Sequence, residues 1–386
     1  MSTREIGVAI IGYGGMGRAH SFGYAATPVM AALPVRPVVR VITGRDAEKV
    51  AAAARAYGIP EWTTDWRSVL DRPDIDLVDI CTPPGTHAAI AASAAAAGKA
   101  VMCEKPLATS YAEARAAVAA VDEAGVLNAI GFNYRRLPAI GLMKRMVDDG
   151  AIGDVRLWRA TWLSDEFTDP SVPFDWRFER WQGGTTIADL GAHLLDMALW
   201  MVGPIAEVAA QSSTFIRQRS VPGGSRNVEI DDASAGLITF TSGAQGRIEM
   251  ARSAVRRPCD FTVELNGSHG TLFFDYARLN ELWFGDGADR MDLYGMRRIR
   301  AEHPTHPHAS QLWPIGQGIG YGESFVDQVA DLMHAWDAGR FDPDFAQGAR
   351  VQAVCDALEL AARDRRWVRL TEITEAAVAP IGRPAD

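Results

Sequence analysis

A glycine-rich turn follows the first apolar run of the chain. Residues 6–11 lead directly into Gly12-Tyr13-Gly14-Gly15-Met16-Gly17, which has the spacing Gly-x-Gly-x-x-Gly. Where such a turn joins a strand to a helix, the first glycine permits the tight turn, the second lets the backbone approach a pyrophosphate, and the third allows close packing of helix on strand. The amides at the start of the helix then face the anion. We therefore expect a dinucleotide to be bound by Gly12, Tyr13, Gly14, Gly15, Met16 and Gly17.

The pattern of the first 131 residues favours a dinucleotide-binding turn over an ordinary glycine turn. Short β-rich runs alternate there with alanine-rich stretches. The predicted strands are residues 7–11, 38–42, 77–81, 100–103 and 127–131, and the predicted helices are 47–57, 88–97 and 112–124. Such alternation is typical of βαβ units with a parallel sheet. We predict an α/β fold whose residues 1–131 form a doubly wound Rossmann domain that binds a dinucleotide.

Residues 132–386 have a different pattern. A predicted helix at 140–149 is followed by strand-like runs at 155–162, 233–240, 246–251, 261–266 and 271–275, several of them joined by glycine-containing turns. Short connections of this kind favour antiparallel pairing. We predict an α+β domain built on a large open mixed or antiparallel sheet. The stretches 218–228 and 291–319 lack periodicity and are expected to be loops.

Composition narrows the partners of such a chain. A length of 386 residues suits two domains, and therefore a cleft. The formal charge of −9 argues against a nucleic-acid surface, so a small molecule is the expected ligand. The four cysteines show no Cys-x-x-Cys pairing, and the N-terminal apolar run is too short for a signal peptide or a membrane span. We expect a cytoplasmic protein without membrane or nucleic-acid partners.

The residues after the second predicted strand bear on the choice between NAD and NADP. An acidic side chain at this point reads a free ribose 2′-hydroxyl, whereas an arginine accommodates a 2′-phosphate. The sequence is Thr43-Gly44-Arg45-Asp46, so no carboxylate stands directly at the strand end, and Thr43 and Arg45 could bind a phosphate. We predict NADP or NAD as cofactor, with a preference for NADP. Alternatively, Arg45 is a solvated turn residue and Asp46 caps the next helix.

Polar residues also follow the third and fourth predicted strands. Ligands of open α/β sheets bind outside the carboxyl ends of the strands, so residues at these ends are expected to lie near the nicotinamide. A lysine at such a place can exchange a proton with a substrate hydroxyl, which makes Lys105 a catalytic candidate. The residues of these two segments that we assign to cofactor binding are Thr82, Pro83, His87, Glu104 and Lys105.

A second acid–base candidate lies in the second half of the chain. Asp189 and His193 stand four residues apart in a segment, 187–197, that is predicted to be helical. That spacing places both side chains on one face of a helix, which suits a catalytic pair facing a cleft. Alternatively, His193 is a buried histidine satisfied by a neighbour in its helix. Neither this pair nor the run from His303 to His308 offers a full ligand set at a recognised spacing, so no metal is expected.

Together these motifs resemble those of the glucose-fructose oxidoreductase, inositol dehydrogenase and MocA (Gfo/Idh/MocA) family, and the resemblance covers nearly the whole chain. The segments that carry it are Gly12 to Gly17 with His20, Thr82-Pro83 with His87, Glu104-Lys105-Pro106, Gly131 to Arg135, and Asp189 with His193. Within the family, residues 64–68, 132–136, 175–178, 312–315 and 318–323 are most similar to pyranoside dehydrogenases of the levoglucosan dehydrogenase type.

The resemblance implies an oxidoreductase that transfers a hydride between NAD(P) and a secondary hydroxyl carbon of a sugar, anhydrosugar, glycoside or inositol. It makes Lys105 and His193 the proton-handling groups and Asp189 their orienting partner. It also implies that the second domain, residues 132–386, binds substrate and forms an oligomer contact, and we expect a homodimer or homotetramer. Aromatic faces and hydrogen-bonding side chains suit sugar recognition. The predicted substrate-binding residues are Asn133, Tyr134, Arg135, Trp176, Arg177 and His193.

Two other functions stay open at this stage. Some members of the superfamily are glycosidases that use NAD transiently: they oxidise the sugar at carbon three, eliminate the aglycone and re-reduce the product, and the same Lys105 and His193 would serve. A non-catalytic NAD(P)-binding sensor would keep the fold without the chemistry, since fold alone does not establish activity. The joint presence of Lys105, Asp189 and His193 argues against the sensor.

Overall fold

The computed structural model of the chain describes residues 4–309 and 312–375. The strands are β1 Glu5–Ile11, β2 Arg36–Thr43, β3 Glu61–Thr63, β4 Leu77–Ile80, β5 Ala100–Cys103, β6 Asn128–Ile130, β7 Val155–Leu163, β8 Ile205–Ser213, β9 Gln218–Val221, β10 Gly224–Asn227, β11 Ala233–Phe240, β12 Gln245–Ala251, β13 Asp260–Gly267, β14 Gly270–Asp275, β15 Glu281–Asp286, β16 Arg297–Arg300 and β17 Val368–Arg369. The α-helices are α1 Gly15–Met30, α2 Ala47–Tyr57, α3 His87–Ala96, α4 Tyr111–Ala124, α5 Pro138–Asp148, α6 Ala192–Met201, α7 Tyr321–Ala335, α8 Phe345–Asp364 and α9 Leu370–Thr374.

These elements form two compact units. The described residues of the first unit are 4–108, 112–136 and 320–349, and those of the second are 109–111, 137–309, 312–319 and 350–375. The first unit therefore takes in 320–349, which the predicted boundary between 131 and 132 had assigned to the second domain. The physical reason is packing of α7 on α1, where the Thr27 hydroxyl donates to the Val326 carbonyl at 3.0 Å. Residues 1–3 of the first predicted domain and 376–386 of the second lie outside the described residues.

The first unit contains a six-stranded sheet in the order β3-β2-β1-β4-β5-β6, and every neighbouring pair is parallel. The predicted Rossmann fold is confirmed. Strand β1 is apolar and almost wholly buried because helices cover a parallel sheet on both faces. The strand order reverses between β1 and β4, and in such sheets the ligand crevice opens at the carboxyl ends of these two strands. The three-residue edge strand β3 was not predicted.

The second unit contains a nine-stranded sheet in the order β16-β15-β14-β13-β7-β12-β11-β8-β17. Its neighbours are antiparallel except β7 and β12, which are parallel, so the predicted mixed sheet is confirmed. Burial alternates along β11 and β13, because successive side chains of a strand point to opposite faces. One face of the sheet therefore faces the core of the unit.

Two segments that the sequence analysis assigned to loops contain regular structure. Within 218–228, strands β9 and β10 form an antiparallel hairpin. Arg219 of this hairpin is buried, and its guanidinium donates to the carbonyls of Phe167, Asp169 and Val172. The loop prediction was wrong there because the polar strands show no apolar alternation, and a buried arginine holds them instead. Within 291–309, a short helical turn at Met291–Leu293 and strand β16 interrupt the predicted loop, and residues 310 and 311 lie outside the described ranges.

The longest α-helix of the described ranges, α8, has 20 residues and carries charged side chains along its length. In these ranges, no helix is both long and apolar enough to cross a membrane.

Candidate active site

The glycine turn adopts the geometry that its sequence predicts. Gly12 has a φ of +113°, and a Cβ atom there would lie 2.5 Å from the Cys81 carbonyl oxygen. A Cβ atom at Gly17 would lie 2.0 Å from the Gly12 carbonyl oxygen. These two glycines are therefore required by the protein itself, the first by its positive φ and the second by the close approach of α1 to the turn.

Gly14 and Gly15 differ from the other two glycines, because a Cβ atom on either would meet no protein atom within 4 Å. Gly14 is the N-cap of α1; its backbone is extended, no side chain caps the helix there, and the first turn holds no acidic residue. The first amides of α1 are thus open to an anion, which a helix N-terminus favours. The turn fits the pyrophosphate of a dinucleotide, with Tyr13 and Met16 packed against the adjoining core.

At the end of β2, an aromatic ring occupies the space beside Gly44. A Cβ atom on Gly44 would lie 2.1 Å from Cδ1 of Tyr13, so the tyrosine ring packs directly on this glycine. Thr43 is buried and Arg45 is exposed. Asp46 caps α2 by accepting a hydrogen bond from the Lys49 amide at 3.1 Å, as the alternative interpretation of this segment predicted. The roles of Thr43 and Arg45 toward the cofactor stay predictions.

His87 is fully buried and joins the ends of two neighbouring strands. Its Nδ1 lies 2.8 Å from the Pro106 carbonyl oxygen, and its Nε2 lies 2.7 Å from the Thr82 carbonyl oxygen. Burial lowers the pKa of His87, while the two backbone carbonyls act in the opposite direction. The ring therefore holds the backbone of the segments after β4 and β5. Its predicted place in cofactor binding would be indirect, through Thr82 and Pro83.

Glu104 is also buried, and it contacts a histidine far away in the sequence. Its Oε1 lies 2.9 Å from Nε2 of His20, and Nδ1 of the same ring lies 2.8 Å from Asp79. Lys105 follows directly and is half-buried at the carboxyl end of β5. In the part of the chain that the structure describes, His20, Asp79 and Cys81 also form the one group whose ligand atoms lie within 4.8 Å of one another, as a metal site would require. Its atoms already satisfy each other by hydrogen bonds, and the expected absence of metal stays a prediction.

Three predicted substrate-binding residues lie on a short helical turn, Asn133–Arg136, in the first unit. All three are buried. The Asn133 amide donates to the Ser324 hydroxyl at 2.8 Å, and the Arg135 guanidinium lies 3.3 Å from the Asp342 carboxylate. These contacts hold the turn against the segment that begins with α7. The substrate-binding role of Asn133, Tyr134 and Arg135 stays a prediction.

The second unit holds Asp189 and His193, and the helix that carries them is irregular. Residues Ile187–Gly191 form a π-helical segment, and α6 begins only at Ala192. The predicted continuous helix is thus interrupted at Asp189, and π segments inside helices are frequent at functional sites. Arg252 is the structural partner of Asp189: its Nη2 donates to Asp189 Oδ2 at 2.9 Å and to the Thr185 carbonyl at 3.3 Å. Sequence analysis missed Arg252, since nothing near it in the chain marks it.

His193 is buried within an aromatic stack. Its ring lies over Trp162 with centroids 5.5 Å apart at an angle of 24°, and Trp162 in turn lies over Phe261 at 5.1 Å and 13°. Offset stacking of this kind adds to the packing energy and fixes ring orientation. His193 is therefore a positioned imidazole. Trp162, which is on β7, was not among the predicted site residues.

Trp176 and Arg177 lie on a short helical turn in the same unit, Trp176–Phe178, and are half-buried. The Arg177 guanidinium stacks 4.6 Å from the Trp176 ring and lies 3.2 Å from the Asp175 carboxylate. The charges of Arg177, Arg252 and Asp189 also act on Glu166. Burial raises the pKa of Glu166, with Arg177 and Arg252 opposing the shift and Asp189 adding to it. Glu166 is a further candidate that the sequence analysis missed.

A parallel sheet in the order 3-2-1-4-5-6, a glycine turn open to an anion, and polar side chains at the strand ends define a dinucleotide-binding α/β protein. A family model described as "Oxidoreductase family, NAD-binding Rossmann fold" matches residues 6–132, and one described as "GFO/IDH/MocA C-terminal domain" matches residues 140–273. The chain belongs to the Gfo/Idh/MocA family of oxidoreductases, as its motifs predicted. It is an NAD-dependent oxidoreductase, and the prediction of an enzyme is confirmed.

Individual relatives agree with this assignment over nearly the full length. The chain is 38% identical over 389 residues to levoglucosan dehydrogenase from Pseudarthrobacter phenanthrenivorans, which covers 96% of this chain and 100% of the relative. It is 32% identical over 277 residues to scyllo-inositol 2-dehydrogenase (NAD(+)) from Bacillus subtilis, covering 71% and 75% of the two chains. A structure of levoglucosan dehydrogenase in complex with NADH and levoglucosan superposes with a TM-score of 0.92 at 39% identity, covering 95% of this chain and 100% of that one.

Proposed function

We propose that this enzyme transfers a hydride between the nicotinamide of NAD(P) and a secondary hydroxyl carbon of a sugar, anhydrosugar, glycoside or inositol. The observation that carries the proposal is His193, a buried imidazole fixed on Trp162 in a helix whose first turn also presents Asp189. A general base at a fixed orientation is what removal of a hydroxyl proton requires. The names of the relatives, levoglucosan dehydrogenase and scyllo-inositol 2-dehydrogenase, support a cyclic polyol as substrate.

The proposed chemistry divides between cofactor and protein. Bound NAD+ supplies the acceptor for the hydride that leaves the carbinol carbon. The hydroxyl O–H bond breaks as its proton passes to Lys105 Nζ or to a ring nitrogen of His193, and the carbon–oxygen bond becomes a carbonyl. Asp189 orients the acid–base groups, and Arg252 holds the Asp189 carboxylate by a charge-assisted hydrogen bond. In the reverse direction the same groups return the proton to the carbonyl oxygen.

Substrate recognition is proposed for the predicted residues Asn133, Tyr134, Arg135, Trp176 and Arg177. Among them, Trp176 and Arg177 are half-buried and stacked on each other, which presents an aromatic face and a hydrogen-bond donor side by side. That combination suits the apolar face and the hydroxyl rim of a pyranose ring.

The proposal is tested with a panel of anhydrosugars, inositols and glycosides offered with NAD+ and with NADP+, read by the absorbance of the reduced nicotinamide. Lys105→Ala and His193→Ala are each expected to lower turnover by about 100- to 10,000-fold, with NAD(H) affinity within several fold of wild type. His334→Ala, a change of an exposed histidine, is the matched control. Losses below about tenfold in both variants would reject the assignment.

Two other outcomes of the panel would point to the remaining alternatives. Cleavage of glycosides with catalytic NAD and no accumulation of NADH would replace the dehydrogenase by a redox glycosidase. Tight binding of NAD(P) without turnover of any compound would contradict the proposed reaction altogether.

The predicted preference for NADP is tested in the same assay. The exposed Arg45 follows β2, where a 2′-phosphate would bring about two negative charges. Arg45→Ala is expected to raise KM for NADP+ and to leave KM for NAD+ unchanged, and equal effects on both cofactors would place Arg45 outside the ribose site. Arg55→Ala, in the last turn of α2, is the control.

We further propose a homodimer or homotetramer that works in the cytoplasm. None of the four cysteines, all within the described ranges, forms a disulfide, and three of them are buried. Buried thiols without disulfides are typical of proteins in a reducing compartment. Measured mass in solution and localisation of the tagged protein test the two parts of this proposal separately.

A further inference from the structure

His20 lies on α1 between two carboxylates that come from different strands. Its Nδ1 is 2.8 Å from Asp79 Oδ2, on β4, and its Nε2 is 2.9 Å from Glu104 Oε1, directly after β5. The exposed fractions of the three residues are 2%, 0% and 3%. Bulk water therefore does not reach these side chains, and they are hydrogen-bonded to one another instead.

The two contacts together determine the protonation of the ring. A neutral imidazole has one N–H donor and one acceptor nitrogen, whereas ionised carboxylates only accept. Between two ionised carboxylates, a neutral His20 would place a nitrogen lone pair less than 3 Å from a carboxylate oxygen. A doubly protonated ring donates to both carboxylates instead, and charge-assisted hydrogen bonds of this length are among the strongest in proteins.

The other groups around the ring support the same state. Burial opposes the charged ring, but the Asp79 carboxylate outweighs it and raises the pKa of His20 well above its usual value. Burial and Asp79 raise the pKa of the Cys81 thiol to about 12 and also that of the Tyr24 hydroxyl, so both groups stay neutral. Burial and Glu104 raise the pKa of the Cys103 thiol, so this group is neutral as well, and the Phe325 ring of α7 lies 5.4 Å from the His20 ring. His20 is thus the positive charge that faces Asp79 and Glu104.

Glu104 connects this charge to the loop that carries Lys105. Its amide donates to the Ile80 carbonyl at 2.9 Å, and a Cβ atom on Gly131 would lie 2.5 Å from Oε1, the oxygen that contacts His20. Only glycine at 131 leaves room for this carboxylate. On the other side of Lys105, the Pro106 carbonyl contacts His87 at 2.8 Å. Two buried histidines therefore hold the residues before and after Lys105.

We propose that His20 is a permanent imidazolium that holds the Glu104 carboxylate and thereby positions Lys105 for proton transfer. This inference rests on the proposed role of Lys105 for its functional part, and on the His20 contacts alone for its structural part. His20 touches neither substrate nor cofactor in this proposal, so it is a positioning residue.

The protonation state is tested first, without any turnover. The ring ¹⁵N signals of His20, assigned by their loss in His20→Gln, are expected to show two protonated nitrogens at about pH 8.5, where an ordinary histidine with a pKa near 6.5 is neutral. The exposed His334 provides the comparison in the same spectrum. A neutral His20 ring at that pH would overturn the inference, whatever the enzyme's substrate is.

The positioning role is tested with His20→Gln and with Glu104→Gln, which keeps the size of the side chain and removes its charge. Both are expected to lower kcat by about 10- to 100-fold, as small displacements of a reacting group do. The Glu104 carboxylate is buried against His20, so any cofactor contact of Glu104 is assigned to its backbone, which both variants keep; affinity for NADH, measured by its fluorescence, is expected to stay within about threefold of wild type. His334→Gln is the control. Unchanged kcat in a folded Glu104→Gln variant would overturn the role, and so would equal losses of kcat and NADH affinity, which indicate general damage to the fold.

Discussion

At the scale of single residues, the contact between Tyr13 and Gly44 determines what the ribose end of the cofactor site can contain. The ring lies where a side chain on residue 44 would begin, so an acid at this position and the tyrosine at position 13 exclude each other. The lack of a carboxylate at the strand end therefore does not by itself demonstrate a phosphate site. The Tyr13 ring also explains why no carboxylate stands there, because it occupies the space that the side chain would need.

This contact changes the expected outcome of introducing an acid. Gly44→Asp alone is expected to weaken the binding of both NAD and NADP by about tenfold or more. Overpacking costs about 1–3 kcal/mol, and the ring that the new side chain displaces belongs to Tyr13 in the cofactor-binding glycine turn. Gly44→Asp combined with Tyr13→Ala is expected to restore the affinity for NAD but not the affinity for NADP, since a carboxylate repels the 2′-phosphate. Dissociation constants from fluorescence titration measure both.

Gly44→Ala is the control for these variants, since it adds the atom without the charge. If Gly44→Ala binds both cofactors as well as wild type does, the Tyr13 ring moves aside at no cost, and the exclusion argument is wrong.

Trp162 supports a second residue-scale prediction. Trp162→Leu keeps an apolar side chain and removes the face on which His193 lies; the lost aromatic pair corresponds to about 0.5–1.5 kcal/mol, so kcat is expected to fall about 2- to 12-fold with the reacting groups intact. Trp162→Phe is expected to retain most of the activity because it keeps a ring. Trp62→Leu, a change of a half-exposed tryptophan in the first unit, is the control. Equal kcat in the Leu and Phe variants would show that stacking does not position His193.

At the scale of elements, the segment from Thr185 to α6 shows how the second unit holds its acid–base groups. Arg252 is 1% exposed and joins the Thr185 carbonyl to the Asp189 carboxylate across the π segment. Its Nε and Nη1 have no hydrogen-bond partner in the described ranges, so this buried guanidinium is only partly satisfied. A buried guanidinium with unsatisfied nitrogens costs stability. We therefore expect the contact between Arg252 and Asp189 to matter more for the orientation of the carboxylate than for the stability of the fold.

Arg252→Met tests that distinction. The variant is expected to reduce the free energy of unfolding by only about 1–3 kcal/mol, because it removes two hydrogen bonds and also two unsatisfied nitrogens. Turnover is expected to fall by about 10- to 100-fold, because Asp189 loses the group that orients it. Chemical denaturation and steady-state kinetics measure the two effects. Arg247→Met, an exposed change on β12, is the control, and full activity in Arg252→Met would contradict the orienting role.

Local patterns explain why much of the fold was predictable. The glycine turn and the strands β1, β4 and β5 are specified by neighbours in the sequence: glycines at fixed spacing and short apolar runs. The partners that complete the site are different. His20 and Glu104 are 84 residues apart, and Asp189 and Arg252 are 63 apart, so their pairing depends on the tertiary fold. The hairpin β9–β10 escaped prediction for the same reason, since Arg219 holds it through distant carbonyls.

At the scale of the whole molecule, the outer face of the nine-stranded sheet bears on assembly. Helix α8 packs on the inner face, where a Cβ atom on Gly236 would lie 2.8 Å from Cδ2 of Leu358. On the opposite face of β11, Leu237 is 53% exposed. On the same face, Ala209 of β8 and Ala235 of β11 lie beside it, and Arg247 of β12 lies opposite. An open sheet face of this composition suits contact with the same face of a second copy.

Leu237→Glu is therefore expected to convert the proposed dimer or tetramer into smaller species, because moving a carboxylate from water into a contact between copies costs free energy even beside an arginine. The change is tolerated within one chain, since Arg247 lies directly opposite in the β11–β12 register. Mass measured by light scattering after size-exclusion chromatography reports the assembly, and circular dichroism verifies the fold. Leu293→Glu, a change of a more exposed leucine in the turn Met291–Leu293, is the control and should leave the mass unchanged. If wild type already has the mass of a single chain, or if Leu237→Glu leaves an oligomer intact, this face is not where the copies meet.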